Sequence, residues 1–357
     1  MGYCSTQMLG MTASAIQSVG VSSTSQSDAR PSTDPNAQVR EPGGKARSLL
    51  MRLPEPSLRT QWWLALANLI CQIGIMASGA TVRVTASGLG CETWPRCNGD
   101  SFVPVPGAAP WIHQIIEFGN RTLTFVLTAV SIALLLAVLR AGRRKHLKML
   151  AWIMPFGILA QGIVGGITVL AGLLWWTVAI HLIPSLALVW FASMLFARIR
   201  EDDDEPVLRT VGTPLWLLTL LSGVALAAVL VTGTLVTGAG PHAGDARVGA
   251  HERLQIDIDL LAHIHGELML AYLALVIGLI FALYAVGAER LVKRRAIYLA
   301  IGVLGQGLIG IVQYWMGVPE LLVIAHVAGA GIVTALTGML WSSGRSRGAA
   351  PVSATAD

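Results

Sequence analysis

The sequence contains eight runs of about 20 apolar residues, each long enough to cross the hydrocarbon core of a bilayer as a helix. Of the 357 residues, 54% are hydrophobic and only 13% are charged, and the mean hydropathy is +0.64, which excludes an ordinary soluble domain. The predicted fold class is an all-α membrane protein with eight transmembrane helices. The predicted spans lie near residues 61–82, 112–139, 149–171, 174–197, 213–237, 259–286, 294–316 and 320–341.

An internal repeat divides these helices into two similar groups of four. The segment Ala160–Gly166 (AQGIVGG) reappears as Gly305–Ile311 (GQGLIGI), an offset of 145 residues. A direct repeat of several membrane helices predicts two tandem four-helix bundles with polar residues at matched depths. Two further pairs of residues match at this offset: His181 with His326, and Asn120 with His265.

The repeat and the composition together predict five regions. Residues 1–60 are rich in Ser, Thr, Gln, Pro and Gly and are predicted to form a disordered tail, in which Met51 is an alternative start. The acidic run at 201–205 is interpreted as a solvated linker between the bundles. The regions are a tail at 1–60, an N-terminal bundle at 61–197, a linker at 198–212, a C-terminal bundle at 213–341 and a tail at 342–357.

The formal net charge of +5 is explained by the positions of the basic residues, so it indicates no nucleic-acid partner. Arg and Lys cluster in the loops at 140–148 and 290–295 and after the last helix, which are all on one side of an eight-helix chain. Because cytoplasmic loops carry an excess of Lys and Arg, the chain is predicted to lie in the plasma membrane with both termini cytoplasmic.

The first long outer loop carries Cys91 and Cys97. Six residues with an intervening proline can close a small ring, and an outer loop faces an oxidising compartment. A disulfide is favoured over two free thiols, and zinc would need ligands that this loop does not offer.

The second predicted helix begins with an ionisable cluster formed by His113, Glu117, Asn120 and Arg121. The first three are spaced four and three residues apart and therefore share one helical face. A helix end at the water interface is the simpler interpretation. Arg121 lies about ten residues inside the segment, however, and this depth favours a functional site.

His265 and His326 form a complete pair of ligands on two helices of the C-terminal bundle. Two facing histidines are what axial coordination of a haem iron requires, whereas zinc or copper usually needs three or four converging ligands. The N-terminal bundle has only His181 and Asn120 at the matched positions, together with Glu117. This difference predicts one cofactor haem and one reaction site.

Three motifs resemble those of the haem A synthase family in its actinobacterial form: GATVRVTASGLGCETWPRCN at 79–98, IEFGNR at 116–121 and TGAGPHAGD at 237–245. The resemblance covers about residues 60–341. It implies an eight-helix enzyme that oxidises the methyl group of haem O to the formyl group of haem A for cytochrome oxidase. It also implies haem b as cofactor on His265 and His326, a catalytic Glu117, and substrate haem bound by His181.

The chain departs from the family pattern at Asn120, where the family usually has a histidine. Either Asn120 or the more distant His113 then takes the role of that histidine as a ligand of the substrate haem. Arg121 either binds substrate or pairs with Glu117. The implied partners are haem O, membrane lipid, and as candidates haem O synthase, oxidase assembly factors and a second copy of the chain.

Two other classes of protein fit parts of the pattern. A dihaem electron-transfer subunit would need two intact ligand pairs, and Asn120 argues against it. A transporter with direct repeats would bind no haem.

At the outer mouth, a loop hydrogen bond is preferred to metal binding for His242, and the nearby arginines suit haem propionates on charge grounds. These arginines are Arg83, Arg247 and Arg253.

Overall fold

The computed structural model of the protein describes residue 52 and residues 54–347. Within these residues, eight helices are long and apolar enough to cross a membrane, which confirms the predicted fold class. Two short strands, β1 (Val207–Arg209) and β2 (Arg345–Arg347), form the only sheet in this part of the chain. The helices are α1 (Leu58–Val84), α2 (Trp111–Arg140), α3 (Lys145–Leu170), α4 (Trp175–Arg198), α5 (Thr213–Ala239), α6 (Ile258–Ala285), α7 (Arg290–Trp315) and α8 (Glu320–Ser342).

The first helix begins inside the region predicted to be a tail. Ser57 caps α1 by accepting a hydrogen bond from the Thr60 backbone N–H at 3.1 Å, which satisfies one of the free donors of the first turn. Asp257 caps α6 in the same way through the Leu260 N–H at 2.9 Å. Residues 1–51, including the alternative start Met51, and residues 348–357 lie outside the described residues.

The 145-residue repeat is visible in the turns between the helices. Gly142 and Gly287 end the turns after α2 and α6 with φ of 64° and 65°. Gly172 and Gly317 do the same after α3 and α7 with φ of 66° and 74°. Glycine adopts this left-handed conformation without steric cost, so each turn reverses the chain within a few residues.

The helices pack as two groups of four, with α8 at the junction. Helices α1–α4 pack against their neighbours around one core, and α5–α8 around another. Helix α8 also packs against α1 and α4. A Cβ at Gly338 would lie 3.2 Å from the Trp190 carbonyl oxygen, and a Cβ at Gly331 would lie 3.3 Å from Ile73. Small residues thus let α8 approach the other bundle closely.

The acidic run at 201–205 is not merely a solvated linker, so that interpretation of the sequence is wrong. Asp203 pairs with Arg143 at 2.7 Å and with Arg144 at 2.8 Å, and Glu201 pairs with Arg144. The Arg143 side chain is only 9% exposed and also donates to Gln61 Oε1 and the Ile199 carbonyl. A buried guanidinium is costly unless paired, so the acidic run fastens the linker to the α2–α3 turn.

We expect the Asp203 pair to make stability depend on pH. Partial burial acts to raise the pKa of Asp203, but the hydrogen bonds from Arg143 and Arg144 outweigh it and hold that pKa below its usual value. The stabilisation is therefore complete above a pH of about 4 and is lost as the pH falls through the folded pKa. Asp203→Asn should cost about 2 kcal/mol at neutral pH and flatten the acid dependence.

Thermal unfolding of the purified protein between pH 7 and pH 3 measures both effects. Asp204→Asn is the matched control, because Asp204 is exposed and its carboxylate makes no ion pair within the described residues. Equal melting temperatures for Asp203→Asn and Asp204→Asn at neutral pH would contradict the proposed role of the pair.

Candidate functional site

The structure brings the rings of His265 of α6 and His326 of α8 together edge to face, with ring centres 6.3 Å apart and ring planes at 64°. A metal–imidazole bond is about 2 Å long and the ring centre lies about 1 Å further, so imidazoles on opposite sides of one iron have centres about 6 Å apart. The spacing therefore fits two axial ligands of one haem iron. No group of three or more His, Cys, Asp or Glu side chains converges on a metal site within residues 54–347.

The hydrogen bonds of His265 prepare one of its nitrogens for a metal. Its Nδ1 lies 3.0 Å from the Val229 carbonyl oxygen of α5, and Thr232 Oγ1 lies 3.2 Å from the same nitrogen. A carbonyl can only accept, so Nδ1 carries the proton and Nε2 keeps its lone pair. This orientation of the ring by a carbonyl is typical of histidines that bind metals.

His181, His265 and His326 each lie against a glycine of a neighbouring helix. A Cβ at Gly233 would lie 3.1 Å from His265 Cε1, one at Gly310 3.1 Å from His326 Cε1, and one at Gly165 3.2 Å from His181 Cε1. Any larger residue would push the ring away, so the glycines set the ring positions. Gly165 and Gly310 are the last glycines of the repeated QGxxG motif, which is the signal from which their role could have been found.

The glutamine of the same motif is linked to the backbone of each histidine, directly in one bundle and through a serine in the other. Gln306 Nε2 donates to the His326 carbonyl oxygen at 2.7 Å. In the other bundle, Ser185 donates to the His181 carbonyl oxygen at 2.8 Å and lies 3.0 Å from Gln161 Oε1. The repeated motif therefore supports one histidine in each bundle through one glycine and one glutamine.

The N-terminal bundle has only one of the two histidines, because Asn120 stands at the position that matches His265. Asn120 Oδ1 accepts a hydrogen bond from Ser78 of α1 at 2.6 Å, in a place corresponding to the Thr232 contact of His265. The Nδ1 atoms of His181 and His326 are buried with no hydrogen-bond partner within the described residues. Buried polar groups are normally satisfied, so unpartnered ring nitrogens point to a ligand that completes each site.

Glu117 is buried, with 3% of its surface exposed, and it is held by the outer loop. Its Oε2 accepts from the Cys91 backbone N–H at 2.6 Å and its Oε1 from Arg121 at 2.6 Å. Arg121 also donates to the carbonyl oxygens of Cys91, Thr93 and Arg96. Of the two interpretations of Arg121, the structure shows pairing with Glu117. Together they fasten the loop to α2.

The predicted disulfide between Cys91 and Cys97 is present, and its loop covers the N-terminal bundle. The backbone at Gly90 packs on His113, where a Cβ would lie 2.4 Å from the carbonyl oxygen. The Trp94 ring packs on Gly166 of α3, where a Cβ would lie 2.4 Å from the ring. Gly166 is the neighbour of the glycine that contacts His181, so the loop lies over α2, which carries Glu117, and over the part of α3 that packs on His181.

We expect Cys91 and Cys97 to react with thiol reagents only after reduction, because both are fully buried in the disulfide. The measurement is intact-mass analysis after alkylation in a Cys4→Ser, Cys71→Ser background, which removes the other cysteines. Replacing the pair with serine should cost about 2 kcal/mol from the loss of the closed ring. Equal alkylation with and without reductant would contradict the bond.

A cavity of about 180 Å³ lies where α1 and α5 end and is lined by Arg83 of α1 and Arg253 of the loop before α6. Both Nε atoms are buried without a partner within the described residues, while a terminal nitrogen of Arg83 donates to the Thr237 carbonyl at 2.9 Å. Two half-buried arginines that line one cavity with unpartnered Nε donors favour an anion there. Arg247 differs, because it pairs with Asp245 and Glu92.

Four other polar residues near these sites make loop or surface contacts or are exposed. His113 Nδ1 contacts Ser87 Oγ at 2.9 Å, and His242 Nε2 contacts the Val318 carbonyl at 2.8 Å, which matches the loop role preferred for His242. His263 is exposed and contacts the Asp259 carbonyl at 2.6 Å. Glu267 is exposed on the outer face of α6.

The fold and the site together define a multi-pass helical membrane protein with one facing histidine pair and a second, modified copy of the same arrangement. The matching family model, described as cytochrome oxidase assembly protein, covers residues 61–338. The chain belongs to this family.

Curated relatives carry the name heme A synthase. The chain is 32% identical over 183 residues to that of Lysinibacillus sphaericus, covering 49% of this chain and 57% of the relative. It is 31% identical over 139 residues to that of Geobacillus kaustophilus, covering 38% and 42%. It is 31% identical over 182 residues to that of Bacillus cereus, covering 49% and 56%. These matches span about half the length of each relative.

Proposed function

We propose that the protein is an oxidoreductase that converts haem O to haem A, oxidising one methyl group of the macrocycle to a formyl group. The observation that carries this proposal is the asymmetry of the repeat. One bundle holds a facing histidine pair, and the other holds His181 with Asn120 and a buried Glu117. Membership of a cytochrome oxidase assembly family and relatives named heme A synthase support the same activity.

In this proposal His265 and His326 hold a haem b that transfers electrons. The ring spacing and the protonated Nδ1 of His265 support two axial ligands. A haem saturated by two histidines supplies one-electron transfer. Arg83 and Arg253 would pair with propionate carboxylates, since their unpartnered donors line one cavity between the end of α1 and the loop that joins α5 to α6.

The substrate haem is assigned to the N-terminal bundle. His181 would bind its iron from one side, because its ring rests on Gly165 with an unpartnered nitrogen. Asn120 is a weak ligand and His113 is engaged with Ser87, so the opposite side lacks a strong ligand. Glu117 would take up or release protons during oxidation, with Arg121 positioning its carboxylate.

The proposed setting is the plasma membrane with both termini in the cytoplasm, supported by the Arg and Lys clusters in the loops on that side. The N-terminal bundle then spans about 61–197 and the C-terminal bundle about 213–341, with the reaction site near the outer surface. Haem O synthase and oxidase assembly factors are the candidate partners, because one would supply the substrate and the others would use the product.

Pigment extraction after co-expression with a source of haem O tests the function directly. Haem A should appear only when the protein is present. A dihaem electron-transfer subunit would yield b-type haem without haem A, and a transporter would yield no bound haem, so either result would overturn the proposal.

A further inference from the structure

A second pair of arginines lies at the opposite ends of the membrane helices from Arg83 and Arg253, beside the start of α5 and the end of α8. Strands β1 and β2 are antiparallel, and their register places Arg209 directly opposite Arg345. Like charges directly opposite each other in an antiparallel pair are destabilising. Both side chains are exposed, and neither guanidinium has a hydrogen bond or ion pair within the described residues.

The neighbouring arginines show that the lack of partners is specific to this pair. Arg143 and Arg144 are paired with Asp203 and Glu201. Arg347, on the same strand as Arg345, donates to the carbonyl oxygens of Asp203 and Glu205. The neighbouring arginines thus have ion-pair or hydrogen-bond partners, whereas the guanidinium groups of Arg209 and Arg345 have none within the described residues.

A cavity of about 120 Å³ lies between these two arginines. Its other lining residues are Val211, Thr213, Trp216 and Gly344. The two guanidinium groups supply several N–H donors in a fork geometry, which matches the oxygens of a phosphate group. The small volume suits a single phosphate rather than a nucleotide or a macrocycle.

The position of the cavity indicates where that phosphate comes from. Helix α5 begins at Thr213 and α8 ends at Ser342, so the cavity lies where two membrane-crossing helices reach the surface. Trp216 belongs to the side-chain type enriched at this depth of a bilayer.

An apolar strip leads away from the cavity along α5. Leu217, Leu221 and Val224 are 47%, 54% and 60% exposed and lie on the same helical face as Thr213, because they follow it by four, eight and eleven residues. Acyl chains can lie along this strip while a headgroup occupies the cavity.

We propose that Arg209 and Arg345 bind the phosphate of an anionic phospholipid in the leaflet at this surface. The bound lipid offsets the repulsion between the two arginines and joins β2, which follows α8, to β1, which precedes α5. It thereby anchors the segment between the bundles at the membrane surface.

The test compares binding of dioctanoyl phosphatidylglycerol and dioctanoyl phosphatidylcholine to the delipidated full-length protein in neutral detergent. The shift in thermal unfolding against lipid concentration gives the apparent affinity. Phosphatidylglycerol should bind more tightly, and Arg209→Gln or Arg345→Gln should each weaken it about fivefold. Arg294→Gln is the matched control, since Arg294 is exposed and its hydrogen bond and ring contact within the described residues are both to Tyr298.

Circular dichroism checks that the variants keep their helical content. Native mass spectrometry of the wild-type protein, taken from nanodiscs with equal amounts of the two phospholipids, tests the preference without any variant. Equal binding of both lipids, equal stabilisation by inorganic phosphate alone, or unchanged affinity in both arginine variants would each overturn the proposal.

Discussion

His265→Ala or His326→Ala is expected to abolish the low-spin b-type absorbance of the purified protein. The two ring centres lie 6.3 Å apart, and in the proposed site the loss of either ring would leave the haem iron without one of its two histidine ligands. The absorption spectrum of the reduced protein, together with haem extraction, measures the loss.

His263→Ala is the control for this experiment. His263 lies on the same helix two residues from His265, but its side chain is exposed and contacts the Asp259 carbonyl. This variant should keep the full spectrum. An unchanged spectrum in His265→Ala or His326→Ala, or equal loss in His263→Ala, would show that the axial assignment is wrong.

Glu117→Gln is expected to lower haem A formation by at least about 100-fold, while the b-type haem proposed for His265 and His326 should stay in place. The amide cannot exchange protons as a carboxylate does, whereas the two histidines lie in the other bundle. Haem A is measured by pigment extraction after co-expression with a haem O source, and retained haem by the b-type spectrum.

The structure adds a control that separates proton transfer from support of the loop. Glu117 holds the outer loop through Cys91 and Arg121, so Glu117→Gln also weakens that attachment. Arg121→Gln breaks the same ion pair but keeps the carboxylate, and it should retain more activity than Glu117→Gln. Full turnover by Glu117→Gln, or loss of the b-type haem in that variant, would contradict the division of roles between the bundles.

Much of the candidate site followed from the repeat. The pairs Asn120 with His265 and His181 with His326 are visible as one offset, and the structure places equivalent hydroxyl groups, Ser78 and Thr232, beside the first pair. The repeated QGxxG motif was noticed only as a landmark. Its role became clear when Gly165 and Gly310 were found against the histidine rings, since a packing partner depends on how two helices meet.

The pairing partners of the charged segments could not be predicted from the sequence. The run at 201–205 carries no periodicity, so its composition alone indicates a solvated linker. Its actual partners, Arg143 and Arg144, lie about 60 residues earlier. Likewise, β1 pairs with β2 across more than 130 residues. Pairings of this kind arise only after the helices bring distant loops together at one membrane surface.

The sequence by itself determined the eight membrane helices, because a backbone in hydrocarbon must satisfy its own hydrogen bonds and long apolar runs can do so only as helices. It also determined the repeat, the family motifs and the two loop cysteines. Only the tertiary structure decided that His265 and His326 face each other, that Arg121 pairs with Glu117 beneath the disulfide loop, and that Arg209 lies opposite Arg345. The physical reason is that these contacts depend on the rotation and approach of helices distant in the chain, which local composition and spacing do not encode.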